Sequence, residues 1–174
     1  MANLHLTIIN DSASYELRKS LARKAIAGQI DYYSCLRDEV AKPAAQKERD
    51  NGSKCSAAEL KAQTLLVMRH DKEECMQAIR DAYIVNPEIT ARGHEWFDSV
   101  DGNSYHSVIM CVAGFSVYIP MQYGYGEQWK QTAYDWLVSH DIFKAPKVHP
   151  NGYRERDYSK INFVNIVLGK KSEL

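Results

Sequence analysis

His106 follows a hairpin that also carries Glu95, Asp98 and Asp101, and an imidazole close to carboxylates is the raw material of general acid–base chemistry. The partners such chemistry needs are missing from the pattern. There is no nucleophile in a strained G-x-S-x-G turn, and Gly124-Tyr125-Gly126 lacks the third glycine and the strand-to-helix context of a dinucleotide-binding loop. The spacing therefore favours solvated Asp98 and Asp101 and a hydrogen-bonded or surface-exposed His106, and no catalytic residue or cofactor is assigned. A small hydrolase or ligand-binding pocket around His106 and Asp98 stays as the chemical alternative.

His5, His70, His94, His106, His140 and His149 never fall in H-x-x-x-H or H-E-x-x-H order, nor beside a cysteine at zinc-site spacing, so no metal centre is assigned. Cys35, Cys55, Cys75 and Cys111 are widely spaced and form no C-x-x-C pair, which points to reduced thiols, with Cys111 expected in a strand core.

Large aromatic side chains are the most informative feature. Tyr118, Tyr123, Tyr125, Trp129, Tyr134 and Trp136 crowd around one short predicted helix, and amphipathic rings left at a surface are typical anchors of protein interfaces. Two readings stay open: a partner surface, or a core filled by Trp129 and Trp136 with the tyrosines as cover. The formal net charge is zero, yet it is unevenly spread. Residues 88–143 hold seven Asp/Glu against two Lys/Arg, whereas residues 144–174 hold seven Lys/Arg against three Asp/Glu. An acidic domain thus ends in a basic tail carrying Arg154, Arg156, Lys160, Lys170 and Lys171, the candidate phosphate contacts of a nucleic-acid-binding alternative.

The elements that must position these residues read as an α+β fold. Leu4 to Ile9 reads as a strand and residues 15–27 as a helix ended by Gly28, with Arg18, Lys19, Arg23 and Lys24 as a solvated basic face. Residues 30–40 read as a helix, and residues 41–54 as a charged linker, which makes residues 1–54 a strand-helix unit and residues 55–174 an α-β-β-β-α-β domain. Ser56 and Glu59 form a capping box at the head of a long helix that Asn86-Pro87 stops. Residues 94–100 and 104–112 read as a hairpin whose Asp101-Gly102-Asn103 turn needs positive φ at Gly and Asn. Residues 115–121 follow as a third antiparallel strand, residues 127–139 as a helix, and residues 161–168 as a last strand. The expected fold is a three- to four-stranded antiparallel meander packed by a long helix and a short C-terminal one. Met1-Ala2-Asn3-Leu4-His5 lacks the pattern of a signal peptide and no apolar run spans a bilayer, so no membrane contact and a cytoplasmic location are expected.

Helix, three antiparallel strands and helix over residues 56–139 is the element order of double-stranded-RNA-binding domains, a resemblance of topology. The basic cluster that family places at its second helix is replaced here by Glu127-Gln128-Trp129-Lys130, which opposes phosphate binding by that surface. From Trp96 onward the chain also resembles a small module of bacteriophage-encoded accessory proteins, through Trp96-Phe97-Asp98, Gly102-Asn103-Ser104-Tyr105-His106-Ser107-Val108, Tyr123-Gly124-Tyr125-Gly126, Gln131-Thr132-Ala133 and the closing Val167 to Leu174. That resemblance carries no activity residue by residue. It implies a viral protein made in a bacterial host cytoplasm, and an anti-defence inhibitor, such as an anti-CRISPR, that binds a host protein or protein–nucleic-acid complex. The expected contact residues are Glu95, Asp98, Asp101, Tyr118, Tyr123, Tyr125 and Trp129, and homo-oligomerisation is left open.

Overall fold

The computed structural model describes residues 4–52 and 55–174, without the side chains of His5 and Leu6. Met1 to Asn3 and the Ser53-Lys54 end of the expected linker lie outside the described residues. The chain divides into two compact units, Met1–Gln77 and Ala78–Leu174. The division falls inside the long helix and not near residue 54.

Among the described residues the first unit is built of helices joined by turns. Leu4–Asn10 is helix α1 and not a strand, because Leu4 and Ile8 stand four residues apart and so enter the core from one helical face, 4% and 2% exposed. Asp11 caps α2, Ser12–Ile26, by accepting from the Ala13 amide. Tyr32–Leu36 forms α3 and continues through a π-helical turn, Arg37–Ala41, into α4, Lys42–Asp50. The expected linker is therefore mostly helix. Its charges lie on the solvated side, with Gln46 donating to Asp50 one turn on (2.7 Å), while Ala45 is buried. Helix α5, Ala57–Val85, runs for 29 residues from the expected capping box, in which Ser56 Oγ accepts from the Glu59 amide (3.2 Å) and Glu59 Oε2 from the Ser56 amide (2.8 Å). Val67 and Cys75 from α5 join Leu21, Leu36 and Val40 in one core.

Arg18 departs most from expectation. Instead of lying on a solvated basic face it is 1% exposed, donating to Asp71 Oδ1 at 2.6 Å and to the Ile9 carbonyl at 3.1 Å, while Tyr32 donates its hydroxyl to Asp71 Oδ2 at 2.7 Å. Desolvation, then the Asp71 carboxylate, drives the Tyr32 phenol far above its ordinary range.

In the second unit β1 (Ile89–Asp98), β2 (Asn103–Val112) and β3 (Phe115–Tyr123) form an antiparallel meander, followed by α6, Gln128–Ser139. Next come the short hairpin strands β4, Lys147–Val148, and β5, Arg154–Glu155. Finally β6, Asn162–Val167, pairs parallel to β1, giving the order β3-β2-β1-β6. Ala113 (φ 47°) and Gly114 (φ 87°) make the tight β2–β3 turn. At the β1–β2 turn only Gly102 (φ 67°) is left-handed, and Asn103 is already strand, contrary to the expected positive φ there. One sheet face is core: Ile89, Ala91, Val108, Met110, Val112, Val117 and Ile119 are buried, as are Trp129, Ala133 and Leu137 of α6. Gly93 lets α6 settle on β1, since a Cβ there would lie 2.1 Å from the Trp129 ring. Among the described residues no helix is long and apolar enough to cross a membrane.

Candidate functional site

Strand alternation and the pairing register together sort the second unit's side chains onto two faces. Trp96 stands opposite Tyr105, and Tyr105 opposite Tyr123, so one row of rings crosses β1, β2 and β3 on the face away from α6. Trp96 stacks on Tyr105 (centroids 5.7 Å apart, planes at 27°), Tyr105 meets Tyr123 edge-on at 5.9 Å, and Tyr123 meets Tyr125 edge-on at 5.2 Å. Tyr123 donates its hydroxyl to Tyr125 (2.6 Å), which pushes the Tyr123 phenol up. Tyr123 is 54% exposed and Tyr125 53% exposed, so the row ends in solvent. Exposed Arg92, Ile109, Val164 and Ile166 continue the same face.

The segment after β6 crosses this row. Leu168 donates its amide to the Glu95 carbonyl at 2.7 Å, Lys170 and Glu173 close a single 3-10 turn over residues 171–173, and Tyr118 donates its hydroxyl to the Leu174 carbonyl at 3.1 Å. Between these anchors the Lys171 ammonium lies 5.7 Å from the Trp96 ring centre and 5.1 Å from that of Tyr105. An ammonium over two ring faces is a cation–π site, worth about 0.5–1 kcal/mol where water has access.

Of the seven expected contact residues, Tyr118, Tyr123 and Tyr125 belong to this face. Trp129 does not: it is 1% exposed, edge-on to Phe163 at 5.4 Å and seated under Gly93, a core residue and not a surface anchor. The carboxylates are not gathered into one patch. Asp98 holds the hairpin turn, accepting from the Val100 amide at 3.0 Å, Asp101 is exposed at the hairpin tip, and Glu95 points to the other face and accepts from Asn165 at 3.2 Å. The basic residues are likewise dispersed. Arg156 is held by Asp135 through two 3.0 Å bonds, Lys171 lies on the rings, and Arg154, Lys160 and Lys170 are exposed.

His106 and Asp98 are not brought together, because the pairing of Glu95 with His106 sends the imidazole to the α6 side while Asp98 follows Trp96. His106 is 2% exposed, with Nε2 2.9 Å from Thr132 Oγ1. Cys111, expected in the core, is exposed on the outer face. In the first unit His70, Asp71 and Glu74 approach one another, but Asp71 is committed to Arg18 and Tyr32, and Glu74 accepts from the Tyr15 hydroxyl at 2.5 Å. That cluster reads as an ion-pair network.

Burial holds the His106 imidazole below its ordinary value of 6.5, and burial, then the Arg92 charge, does the same for His94. The unfolded chain therefore takes up more protons below that value than the folded one. The stabilisation is complete above pH 6.5 and declines as the pH falls through it towards the depressed values. Denaturant midpoints measured from about pH 7.5 to pH 5 are expected to fall, and the His106→Gln chain to show a shallower fall.

Sequence reasoning took Lys171 as a candidate phosphate contact and quoted Trp96 and Tyr105 only within motifs; it did not foresee that the three would meet. The available signal was the β1–β2 register, since a turn at residues 99–102 sets Trp96 opposite Tyr105. No family model, no curated protein and no solved structure matches the chain.

Proposed function

We propose that this chain is a binding protein that takes a Lys- or Arg-bearing protein segment on the outer face of its sheet, across Trp96, Tyr105, Tyr123 and Tyr125. The observation that carries the reading is the position of Lys171, whose ammonium covers both Trp96 and Tyr105. A ring pair that accepts the chain's own lysine offers the same quadrupole to a partner's cation. Half-exposed Tyr123 and Tyr125 extend the contact, and Asp98 and Asp101 at the hairpin end add complementary charge. The resemblance to phage accessory proteins supplies the setting: a host defence complex whose nucleic-acid-binding surface is rich in Lys and Arg, blocked by competition and not by chemistry.

The second reading, nucleic-acid binding through the basic tail, draws on exposed Arg154, Lys160 and Lys170, with the ring row as a stacking platform. It is the weaker one, because Arg156 and Lys171 are already engaged. Co-purification of the tagged chain from bacteria separates them. A stoichiometric protein partner that survives nuclease and is lost with Trp96→Ala/Tyr105→Ala is the expected result. A nucleic acid released steeply by salt, or a partner that the double variant still retains, contradicts the proposal.

A further inference from the structure

The second unit also carries a groove, away from the ring row. Tyr83 from the end of α5, Tyr134 of α6, Phe143 and the β4–β5 hairpin line this open groove, about 450 Å³ in volume and within the range of small-molecule sites. Its apolar wall is a ring cluster, with Phe143 6.1 Å from Tyr83 and 5.4 Å from Tyr134, centre to centre. Lys144, Lys147 and Lys160 line the rest; Lys160 lies close enough to Asp157 to favour its carboxylate, and Lys144 and Lys147 have no hydrogen bond or ion pair among the described residues. Three lysines against the two carboxylates Glu155 and Asp157 leave the groove with a net positive charge, which favours an anion.

Two carboxylates share the groove, and each is partly occupied. Glu155 lies 3.1 Å from the His149 imidazole, and Asp157 accepts from the Ser159 hydroxyl at 2.6 Å and from its amide at 3.0 Å. Those bonds, the hydroxyl first, hold the Asp157 carboxyl below its usual range. The groove thus combines ammonium groups, an aromatic wall and carboxylate acceptors. One ligand chemistry uses all three: phosphate on the lysines, a planar ring on Phe143 and Tyr83, and a sugar diol donating to Glu155 and Asp157.

We infer that this groove binds a nucleoside phosphate. The test is a calorimetric or NMR titration of the full chain with AMP and ADP, set against adenosine and inorganic phosphate. The nucleotides are expected to saturate, at least tenfold more tightly than adenosine or phosphate alone. Lys147→Ala/Lys160→Ala is expected to weaken AMP at least tenfold with an unchanged thermal midpoint, and Phe143→Leu to weaken it while phosphate binding stays the same. No saturation at millimolar nucleotide overturns the inference. So does phosphate or adenosine binding as tightly as AMP, or AMP affinity undiminished in the double lysine variant. Trp96→Ala/Tyr105→Ala leaves this titration unchanged, so the groove and the ring face stand or fall separately.

Discussion

Replacing Gly93 by Ala is expected to destabilise the chain by about 3 kcal/mol or more, the upper end of what overpacking a core costs. The new Cβ would lie 2.1, 2.4 and 2.6 Å from three atoms of the Trp129 indole, far inside contact distance. The ring has little room to yield, being 1% exposed and held against Phe163. For a chain of this length the loss corresponds to a drop in Tm of about 6–12 °C. A double-mutant cycle with Trp129→Leu ties the effect to that contact, because the smaller side chain makes room and the double variant must then lose less than the two single variants' losses added together. Additive losses would place the strain elsewhere.

Removing the carboxylate at Asp71 is expected to cost about 3–5 kcal/mol, the usual penalty for leaving half of a buried ion pair. Asp71→Ala strips Arg18, 1% exposed, of its 2.6 Å partner and leaves the Tyr32 hydroxyl without an acceptor. Arg18→Met/Asp71→Leu removes both charges, so its cost is expected to be well below that of Asp71→Ala alone, although Tyr32 still lacks its acceptor. Chemical denaturation of the three chains reads the difference. Equal losses in the single and double variants would show that side-chain volume, and not uncompensated charge, sets the cost.

Arg18 also marks where the sequence stops being legible. Its neighbours Lys19, Arg23 and Lys24 made a solvated stripe the natural reading, and its partner Asp71 lies 53 residues further on. Pairing over such a distance leaves no local signal. Leu4 to Ile9 failed for another reason: Leu4 and Ile8 satisfy helical spacing and strand alternation alike, and burial in the helical core decided between them. The charged stretch 42–50 resembled a linker because an amphipathic helix with a narrow apolar side, here Ala45, has a polar composition. Where local chemistry is sharp the reading held. The Ser56/Glu59 capping box, the Ala113-Gly114 turn and the alternation from Phe115 to Ile119 placed α5, the β2–β3 turn and β3 within a few residues.

The candidate face shows the same divide. Tyr123 and Tyr125 announced themselves by density of rings, and Trp129, counted with them, went to the core because its helix turns it onto Gly93. Trp96 and Tyr105 were noted only as parts of motifs and not as contact residues, because their meeting depends on a register set by the Asp98–Gly102 turn. Lys171 could not be placed at all from sequence, since the fold alone lays the segment after β6 across the rings.

Titrating the chain with a short lysine-rich peptide, and with a glutamate-rich peptide of equal length, tests the ring face most directly when Lys171→Ala is measured beside the parent. The vacated rings of Lys171→Ala are expected to bind the lysine peptide several-fold more tightly, with chemical-shift changes centred on Trp96 and Tyr105, and Trp96→Ala/Tyr105→Ala to abolish binding. Equal affinity for both peptides, or a Lys171→Ala chain that binds lysine no better than its parent, would contradict the account.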